Sequence, residues 1–418
     1  MIHSTNPDVT VIGAGIVGLC CTLSLLEKGN SVRLIDPLDD DRRASIGNAG
    51  VISPWSCVPQ SMPGLWKKVP GWLINPEGPI SLHWSGIASL LPWTVRFLRQ
   101  STEARVGKIS DAMFALNRPN TAIYQHHLKG TGAEHLIRDS YYIHAYRDAR
   151  SLDPDSLAMQ LFRKRETPLE IVDGHQLRQI EPAISDSVQK AVIIKSQART
   201  ISPGLLCDTL LEKVKKMGAE ILEQPVQTLT PDSDGSWIIQ TSTDTLAANK
   251  VVVSAGVWSK NILETLGVSV PLIAERGYHL EFTDPQIELN HLVMDVDRKF
   301  VISSMANGVR AAGTAEFANL NTKPNYRRAE IFSRLAKNLL PDLNTAESER
   351  WMGIRPSFPD SLPCIGEVPG HTNLYAAFGH SHYGMGMAPK TGQLIANIVN
   401  QQPTDIDISP YDIRRFGK

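Results

Sequence analysis

A glycine-rich loop near the start of the chain places the strongest constraint on its fold. The loop, GAGIVG at residues 13–18, lies between a short β-branched run (DVTVI at 8–12) and a segment with leucines at helical spacing. Strand, glycine turn and helix form the context in which the G-x-G-x-x-G pattern binds a dinucleotide. Gly13 allows the tight turn, Gly15 lets a pyrophosphate approach the backbone, and Gly18 lets the helix pack closely on the strand.

The residues that follow complete a β-α-β unit. The helix is predicted over 19–28, Gly29 ends it, and a second strand over 31–35 finishes at Asp36. An acidic residue at this distance from the loop is where the ribose 2′-hydroxyl of a bound nucleotide is held. The alternative is a turn that only connects a strand to a helix. The pattern does not distinguish NAD from FAD, because both carry an adenosine ribose and a pyrophosphate.

Length and charge limit the number of domains and the kinds of partner to expect. The chain has 418 residues and a mass of 46.0 kDa, which predicts two domains that share an extensive interface. Its 42 Lys and Arg against 43 Asp and Glu give a formal net charge of -1. This balance gives no electrostatic reason to expect a nucleic acid as a partner.

Cysteine spacing and the absence of targeting signals indicate the compartment. The five cysteines lack the C-x-x-C and Cys/His spacings of metal sites, so we expect no metal and a reducing compartment. Residues 1–13 do not have the pattern of a signal peptide. No apolar run approaches the roughly 18 residues that a membrane-spanning helix needs. We therefore predict a cytoplasmic protein and leave open a peripheral contact with the inner face of the membrane.

A tryptophan-rich segment at residues 55–100 interrupts the order of strands and helices. It holds five of the eight tryptophans among many prolines and glycines. Three interpretations remain open: the segment caps the active site, it docks on a membrane, or it packs as an irregular subdomain. A membrane-binding surface normally carries a basic face, which here only Lys67, Lys68, Arg96 and Arg99 supply.

Later segments return to the order of strand, glycine turn and helix. The run VVVSAGVW at 251–258 and the stretch 374–400 both have this order, which suggests that they rejoin the nucleotide-binding unit. Between these pieces, helices are predicted at 108–130 and 151–163. A further helix begins at the N-cap residue Ser202, which is followed by a proline at the first helical position.

Six further motifs, together with the glycine loop, carry a resemblance to a known family. They are ASIGNAGVISP (44–54), VVVSAGVWS (251–259), ERGYH (275–279), GIRPSFPDSLPCIG (353–366), GHSHYGM (379–385) and SPYDIRRF (409–416). The chain resembles the FAD-dependent D-amino-acid oxidase family, and within it the bacterial D-amino-acid dehydrogenases. The resemblance covers about residues 8–416 and favours FAD over NAD.

The resemblance implies an α/β fold with α+β inserts. A Rossmann-like FAD-binding domain would be interleaved with a substrate-binding domain that is built on an antiparallel sheet. The FAD-binding domain would comprise residues 1–55, 165–270 and 350–418. The substrate-binding or cap domain would comprise residues 56–164 and 271–349.

The resemblance also implies which residues hold the cofactor. Small residues within 44–54 would let the backbone approach the flavin, although a simple tight turn is the alternative. The helix that begins near Gly384 would direct its positive end at the flavin, which is commonly anionic when reduced. The expected cofactor-binding residues are Gly13, Ala14, Gly15, Ile16, Val17, Gly18, Asp36, Pro37, Ser45, Asn48, Ala49, Gly50, Val51, Val226, Ser254, Ala255, Gly256, Trp258, Gly353, Gly379, His380, His382, Tyr383, Gly384 and Met385.

For the substrate, the resemblance implies a carboxylate clamp at Arg355. A guanidinium offers two parallel donors to a carboxylate, which fixes the orientation of the substrate. The alternative is a buried ion pair of Arg355 with Asp360 or another acid. His382 is expected to line the substrate site. Tyr278 and Phe300 complete the expected catalytic group, with an ordinary place in the core as the alternative for both.

The implied reaction is the FAD-dependent oxidation of a D-amino acid, or of a D-proline or hydroxyproline type of imino acid, to the imine. Hydride transfer from Cα of the neutral amine to flavin N5 needs no strong side-chain base. The electrons would pass to a quinone or another acceptor. Two alternatives remain: an oxidase or demethylase of glycine, sarcosine or N-methyl amino acids, and a non-catalytic flavin-binding subunit of a larger dehydrogenase. Cys364 is a poor match for a cysteine that binds flavin covalently, so we expect non-covalent FAD.

Overall fold

The computed structural model describes residues 6–417, apart from the side chain of Ser89. Strands in this part of the chain are mostly short. They are β1 (Val9–Ile12), β2 (Val32–Ile35), β3 (Val51–Ile52), β4 (Ile80–Leu82), β5 (Ile137–Tyr146), β6 (Leu169–Asp173), β7 (Lys190–Thr200), β8 (Glu220–Leu222), β9 (Val226–Pro231), β10 (Trp237–Thr241), β11 (Thr245–Ala248), β12 (Val251–Val253), β13 (Ile273–Phe282), β14 (Leu292–Asp295), β15 (Phe300–Met305), β16 (Gly308–Phe317), β17 (Ser348–Ser357), β18 (Cys364–Glu367) and β19 (Leu374–Phe378).

The helices of the same region have between six and sixteen residues. Within the described chain, none of them has both the length and the apolar character to cross a bilayer. They are α1 (Ile16–Glu27), α2 (Val69–Ile74), α3 (Ile87–Gln100), α4 (Glu103–Asn117), α5 (Asn120–Leu128), α6 (Leu157–Lys164), α7 (Gly174–Ile180), α8 (Pro203–Lys216), α9 (Ser259–Glu264), α10 (Arg327–Leu339) and α11 (Gly384–Val399).

A six-stranded sheet carries the glycine loop. Its order is β18-β19-β12-β1-β2-β8, and all neighbours are parallel except β18 and β19. The central strands read VTVI, VVV and LYAAF and are fully buried, as is typical of parallel strands that are covered on both faces. Because parallel strands end at the same edge of a sheet, the loops after β1, β2, β12 and β19 meet there.

Two glycines let helices approach this sheet and each other. A Cβ atom at Gly18 would lie 1.7 Å from the Gly13 carbonyl oxygen, so α1 can pack against β1 only because residue 18 is glycine. A Cβ atom at Gly392 of α11 would lie 2.3 Å from the Cys20 carbonyl oxygen of α1. These contacts agree with the packing role that the sequence predicts for Gly18.

A ten-stranded sheet forms the second layer of the protein. Its order is β17-β13-β16-β15-β14-β5-β7-β3, with β4 beside β16 and β6 beside β7. Its pairings are antiparallel except for β5 with β14 and β4 with β16. The strands β11-β10-β9 form a separate smaller sheet, whose buried side chains share one core cluster with those of the six-stranded sheet. The structure therefore has the predicted α/β fold, with a parallel sheet at the glycine loop and a second, mainly antiparallel sheet.

The predicted domain ranges divide the ten-stranded sheet. Its strands β6 and β7 lie within 165–270, and most of β17 lies within 350–418. Both ranges are predicted to belong to the FAD-binding domain, whereas β7 pairs with β5 and β17 pairs with β13, which are strands of the other predicted domain. The strand β6 joins the same sheet through β7. The division of the chain into domains stays a prediction.

Helix boundaries differ from the sequence prediction in two places. The helical segment predicted around 108–130 consists of two helices, α4 and α5, with Pro119 between them. Proline has no N–H and cannot continue the hydrogen bonds of α4. The helix predicted over 151–163 corresponds to α6, which starts later. By contrast, α8 begins as predicted, since the Ser202 hydroxyl accepts a hydrogen bond from the Leu205 N–H at 3.3 Å.

Gly18→Ala is expected to destabilise the fold and weaken cofactor retention, because the new methyl group would overlap the Gly13 carbonyl. Overpacking of this kind costs about 1–3 kcal/mol. Gly107→Ala is the control: Gly107 lies in α4 with nothing within 4 Å of its Cβ position, so alanine should add about 0.5–1 kcal/mol of stability. Thermal unfolding and the ratio of flavin to protein absorbance measure both effects. Equal behaviour of the two variants would contradict the packing role of Gly18.

Candidate functional site

A cavity of about 1050 Å³ extends from the edge of the parallel sheet to the face of the ten-stranded sheet. At one end its walls are residues that follow β1, β2, β12 and β19, and at the other end they are residues of β13, β15, β16 and β17. The carboxyl ends of parallel strands are the usual place of a ligand in an open α/β sheet. Pockets for small ligands have about 300–1,000 Å³, so this cavity has room for a large cofactor and a substrate beside it.

The glycine loop and the end of β2 form one nucleotide-binding surface. The Asp36 carboxylate accepts hydrogen bonds from the Ala14 N–H and the Leu38 N–H, both at 2.7 Å. The Ser45 hydroxyl accepts a hydrogen bond from the N–H of Ile16, the first residue of α1, at 3.1 Å. The structure therefore brings the loop, the acidic residue and Ser45 together, although Ser45 was expected beside the flavin ring and not at the glycine loop.

A buried arginine beside this surface was not predicted from the sequence. Arg43 is 8% exposed and lines the cavity, and its Nε and Nη1 atoms have no hydrogen-bond partner in the described chain, although Nη2 pairs with Asp40. Buried cationic donors without acceptors fit a phosphate group, so the pyrophosphate of FAD suits this place. Arg42 lies 4.5 Å above the Trp258 ring at the same end. In the sequence, the only indication that an arginine belongs to this site is the pair Arg42 and Arg43 just before Ser45.

The segment expected beside the flavin is held by backbone contacts. The Asn48 side-chain oxygen accepts a hydrogen bond from the Gly50 N–H at 2.8 Å, and Arg310 donates to the Asn48 carbonyl at 2.8 Å. Gly50 has φ +78°, which favours glycine. A Cβ atom at Gly47, a residue that the sequence analysis missed, would lie 2.1 Å from the Trp351 ring. The segment can therefore present its backbone to the cavity at close range.

The turn after β19 leads into the N-terminus of α11 at the cavity wall. Gly379 has φ +88°, and α11 begins at Gly384. A helix N-terminus stabilises negative charge, which fits a reduced flavin. The buried His380 ring has its Nε2 atom 3.0 Å from the Thr391 hydroxyl, and burial lowers the pKa of His380 to about 3. His380 is therefore neutral and fixed to α11, as a residue that supports the fold would be.

Arg355 lies on β17 with its guanidinium in the cavity. Nη1 donates to the Glu275 carboxylate and to the Thr314 carbonyl, each at 2.9 Å. Thr314 has φ +57° and lies where the register of β13 with β16 shifts, so its carbonyl is available to the arginine. In the described chain Nε has no acceptor, and Nη2 contacts only the Gly313 carbonyl at 3.5 Å. The Nε and Nη2 atoms therefore form an edge that can donate two parallel hydrogen bonds to a carboxylate.

Glu275 holds Arg355 in this position. The two residues are direct partners in the pairing of β13 with β17, and the Ser357 hydroxyl donates to the second carboxylate oxygen of Glu275 at 2.7 Å. Burial would raise the pKa of Glu275, but the charge of Arg355 and the hydrogen bonds keep it below its usual range. A Cβ atom at Gly277 would lie 2.1 Å from Arg355 Nη2, so this glycine leaves the space that the guanidinium fills.

The alternative prediction, an ion pair of Arg355 with Asp360 or another acid, does not hold for Asp360. Asp360 accepts a hydrogen bond from Arg415 Nε at 2.7 Å. Arg355 does form an ion pair with another acid, Glu275, but that pair uses Nη1 alone. The ion pair and the carboxylate clamp are therefore compatible in one arginine.

His382 lines the same end of the cavity. Its Nδ1 atom lies 2.9 Å from the Gln60 side-chain nitrogen, and its ring centroid lies 3.9 Å from that of Tyr383. The His382 side chain is exposed in the cavity, but the protein around it desolvates the ring and lowers the pKa of His382 to about 4; the charge of Glu275 opposes this shift and the charge of Arg355 adds to it. His382 is therefore neutral near pH 7 and suited to line the site rather than to supply a proton.

The two aromatic residues expected at the substrate site differ in placement. Tyr278 lines the cavity, but its hydroxyl donates to Glu316 at 2.6 Å and accepts from the Asn325 N–H at 3.0 Å. Phe300 does not line the cavity, so its assignment to the pocket does not hold: it is buried in the core 5.8 Å from the Phe332 ring. The next residue of β15, Val301, lines the cavity instead, because successive side chains of a strand point to opposite faces.

The cavity brings together most of the predicted cofactor-binding residues, whose roles stay predictions. Ala14, Gly18 and Gly50 lie in the backbone around it rather than in its walls, and no cysteine of the described chain lines it. The predicted residues in its walls are Gly13, Gly15, Ile16, Val17, Asp36, Pro37, Ser45, Asn48, Ala49, Val51, Val226, Ser254, Ala255, Gly256, Trp258, Gly353, Gly379, His380, His382, Tyr383, Gly384 and Met385.

Comparisons with known proteins agree with this geometry. Residues 8–398 match the family described as FAD dependent oxidoreductase (DAO). The D-amino-acid oxidase of Bradyrhizobium diazoefficiens is 33% identical over 415 residues, which cover 98% of both chains. The D-amino acid dehydrogenase of Vibrio atlanticus is 26% identical over 416 residues, which cover 98% of this chain and 100% of the relative. The crystal structure of glycine oxidase from Geobacillus kaustophilus superposes with a TM-score of 0.74 at 20% identity, covering 98% of this chain and 99% of that chain, a likeness of fold.

The lowered pKa of His382 predicts how its removal affects the pH profile. With a folded-state pKa of about 4, His382 binds a proton only as the pH falls towards that value, so it contributes no inflection between pH 5.5 and 8. His382→Asn should therefore keep the shape of the profile of kcat/KM in this window, even if its height changes. Steady-state assays of both proteins at matched ionic strength test this. Loss of an acidic limb in the variant alone would assign the proton transfer to His382.

Proposed function

The chain belongs to the DAO family of FAD-dependent oxidoreductases, and from this we propose that it oxidatively deaminates a D-amino acid, or a D-proline or hydroxyproline type of imino acid. The observation that carries the proposal is the free Nε and Nη2 edge of Arg355 in a cavity that also holds the nucleotide-binding loop. A carboxylate is the group that such an edge recognises best.

The residues of this chain would hold the cofactor along the length of the cavity. Asp36 lies where the ribose hydroxyl would bind, and Arg43 offers its unmatched donors to the pyrophosphate. The backbone at 47–51 and the N-terminus of α11, which begins at Gly384, line the end where the flavin would lie. When bound, FAD supplies the oxidising chemistry, in which the Cα hydrogen leaves the substrate as a hydride for flavin N5.

The contribution of the protein to the reaction is mainly orientation. Arg355 fixes the substrate carboxylate, and Glu275 fixes Arg355, so the position of Cα is set by two paired strands. His382 stays neutral and adds no positive charge that would repel the amino group. The amine must lose its proton before the hydride leaves, and solvent can take that proton without a side-chain base.

The preference for D-amino acids is supported by the names of the relatives rather than by the cavity. The relatives at 33% and 26% identity are named for D-amino acids. The fold is shared with a glycine oxidase, so an oxidase or demethylase of glycine, sarcosine or N-methyl amino acids is the outcome to test against. The second alternative to test against is a flavin-binding subunit without catalytic activity. Since no cysteine of the described chain lines the cavity, non-covalent FAD remains our expectation.

For the electrons we propose a quinone or another acceptor rather than oxygen. Apolar side chains of the tryptophan-rich segment, among them Trp72, Trp93 and Phe97, line the cavity. A wall of this kind suits an apolar acceptor. We therefore propose a cytoplasmic protein with a peripheral contact at the inner face of the membrane, where an apolar acceptor would be dissolved.

Anaerobic bleaching of the bound flavin tests the proposed function. The purified yellow protein is mixed with matched D- and L-amino acids, including both enantiomers of proline and the stereoisomers of 4-hydroxyproline. Rapid loss of the visible band with the D forms is the expected result. Bleaching by sarcosine or glycine alone would favour the N-methyl alternative. No bleaching by any amino acid would favour the non-catalytic subunit.

Arg355→Met should raise KM by about a hundredfold or more, because it removes two charge-assisted hydrogen bonds worth about 1.5–3 kcal/mol each. The flavin content should not change, since the contacts of Arg355 are with the substrate end of the cavity. Arg350→Met is the matched control on the same strand, because Arg350 is exposed and pairs with Glu330. An unchanged KM in Arg355→Met, with a normal flavin spectrum, would rule out the carboxylate clamp.

A further inference from the structure

Exposed apolar side chains are concentrated in the tryptophan-rich segment. Of the twelve large apolar side chains that are exposed in residues 6–417, nine lie between Trp66 and Leu98. The most exposed are Ile74 (82%), Trp84 (78%) and Leu91 (68%). Soluble proteins usually scatter such residues, whereas a contiguous patch marks an interaction site. We call the exposed apolar side chains between Trp66 and Leu98 the apolar surface.

The helix α3 shows why packing within the chain does not account for this surface. Leu90, Trp93 and Phe97 of α3 line the cavity. Ile87, Leu91, Val95 and Leu98 are spaced four, four and three residues apart and are exposed, so they form a second apolar stripe along the helix. The first stripe is explained by the cavity, and the second is exposed, with Leu98 at the border between the two.

Basic residues outnumber acidic ones in the segment that carries the apolar surface. Residues 61–100 contain four basic residues, Lys67, Lys68, Arg96 and Arg99, against a single acidic residue, Glu77. Glu77 is paired with Arg334, so it does not balance the basic residues of the segment. The four basic residues are all exposed. An apolar stripe with basic flanks and exposed tryptophans is the composition of an interfacial helix on an anionic bilayer.

The apolar surface is continuous with the cavity. Trp66, Leu73 and Leu98 are exposed and also belong to the cavity walls. A partner that covers the apolar surface would therefore also cover an opening of the cavity. A second copy of the chain fits poorly, because a symmetric contact would bring two sets of four basic residues together.

We propose that the apolar surface docks the protein on an anionic lipid bilayer, with α3 lying in the plane of the headgroups. The apolar stripe of α3 enters the acyl boundary, and Arg96, Arg99, Lys67 and Lys68 contact lipid phosphates. The docking itself depends only on this surface. Its consequence, that an apolar electron acceptor dissolved in the bilayer reaches the cavity, rests on the proposed function.

Co-sedimentation of the FAD-loaded protein with vesicles tests the docking. Vesicles of phosphatidylcholine alone are compared with vesicles that also contain phosphatidylglycerol. We expect the bound fraction to rise with phosphatidylglycerol and to fall as salt is added, because exposed charges are screened. The double variant Ile74→Glu with Leu91→Glu should lower the bound fraction at least tenfold. Neither residue lines the cavity.

The double variant Ile171→Glu with Leu205→Glu is the matched control, because it adds the same charge at two exposed apolar residues outside the apolar surface. It should bind vesicles as the wild type does. Equal binding of both double variants, or no binding of the wild type to either vesicle, overturns the proposal. A wild-type dimer that the Ile74→Glu and Leu91→Glu changes dissociate overturns it as well, in favour of a second copy.

Flavin bleaching separates this test from that of the proposed function. Both double variants should be bleached by the wild-type substrate as fast as the wild type, since their substitutions lie outside the cavity walls. Vesicle binding without bleaching by any D-amino acid would leave the docking and remove the proposed substrate. Bleaching by a D-amino acid without vesicle binding would leave the proposed substrate and remove the docking.

Discussion

The ion pair between Arg355 and Glu275 is the interaction on which the rest of the substrate site depends. A guanidinium in a cavity needs a compensating charge, because an unpaired buried ion is far more unfavourable than a lost hydrogen bond. Glu275 supplies this charge and is itself held by Ser357. Since the pair uses only Nη1 of the arginine, the charge is balanced without consuming the edge that a carboxylate would bind. A single arginine can therefore be both structurally paired and available to a substrate.

The same strand pairing shapes the space around that arginine. Along β13 and β17 the direct partners on one face are Glu275 with Arg355, then Gly277 with Gly353, then His279 with Trp351. The glycine pair leaves room on two sides: the guanidinium occupies the space over Gly277, and the Trp351 ring occupies the space over Gly353. The same ring also covers Gly47, and it stacks on His279 at 5.1 Å. Trp351 thus connects the sheet that holds the arginine to the segment expected beside the flavin.

Short-range features of the site could be predicted from the sequence, and long-range ones could not. Asp36 meets Ala14 because one β-α-β unit places the end of its second strand beside its own loop. Glu275 and Arg355 are eighty positions apart, and only the register of β13 with β17 makes them partners. The prediction that Phe300 lines the pocket was wrong for a related reason. Successive side chains of a strand point to opposite faces, and the sequence alone does not tell which face meets the cavity. For Arg43 the sequence offers only its place in the pair of arginines before Ser45, since its unmatched donors exist only once the fold has buried it.

The tryptophan-rich segment shows the same limit for helices. The three interpretations of this segment do not exclude one another, because α3 is apolar over two adjoining sectors, so one helix can line the cavity and still expose a stripe. Hydrophobic periodicity reports the total apolar width of a helix and does not divide it between an interior and a surface. In α3 the position of the cavity decides which apolar side chains face the interior and which are exposed. Because the fold keeps an open space beside α3, one apolar sector lines that space and the adjoining sector stays exposed on the surface, where the proposed bilayer would cover it.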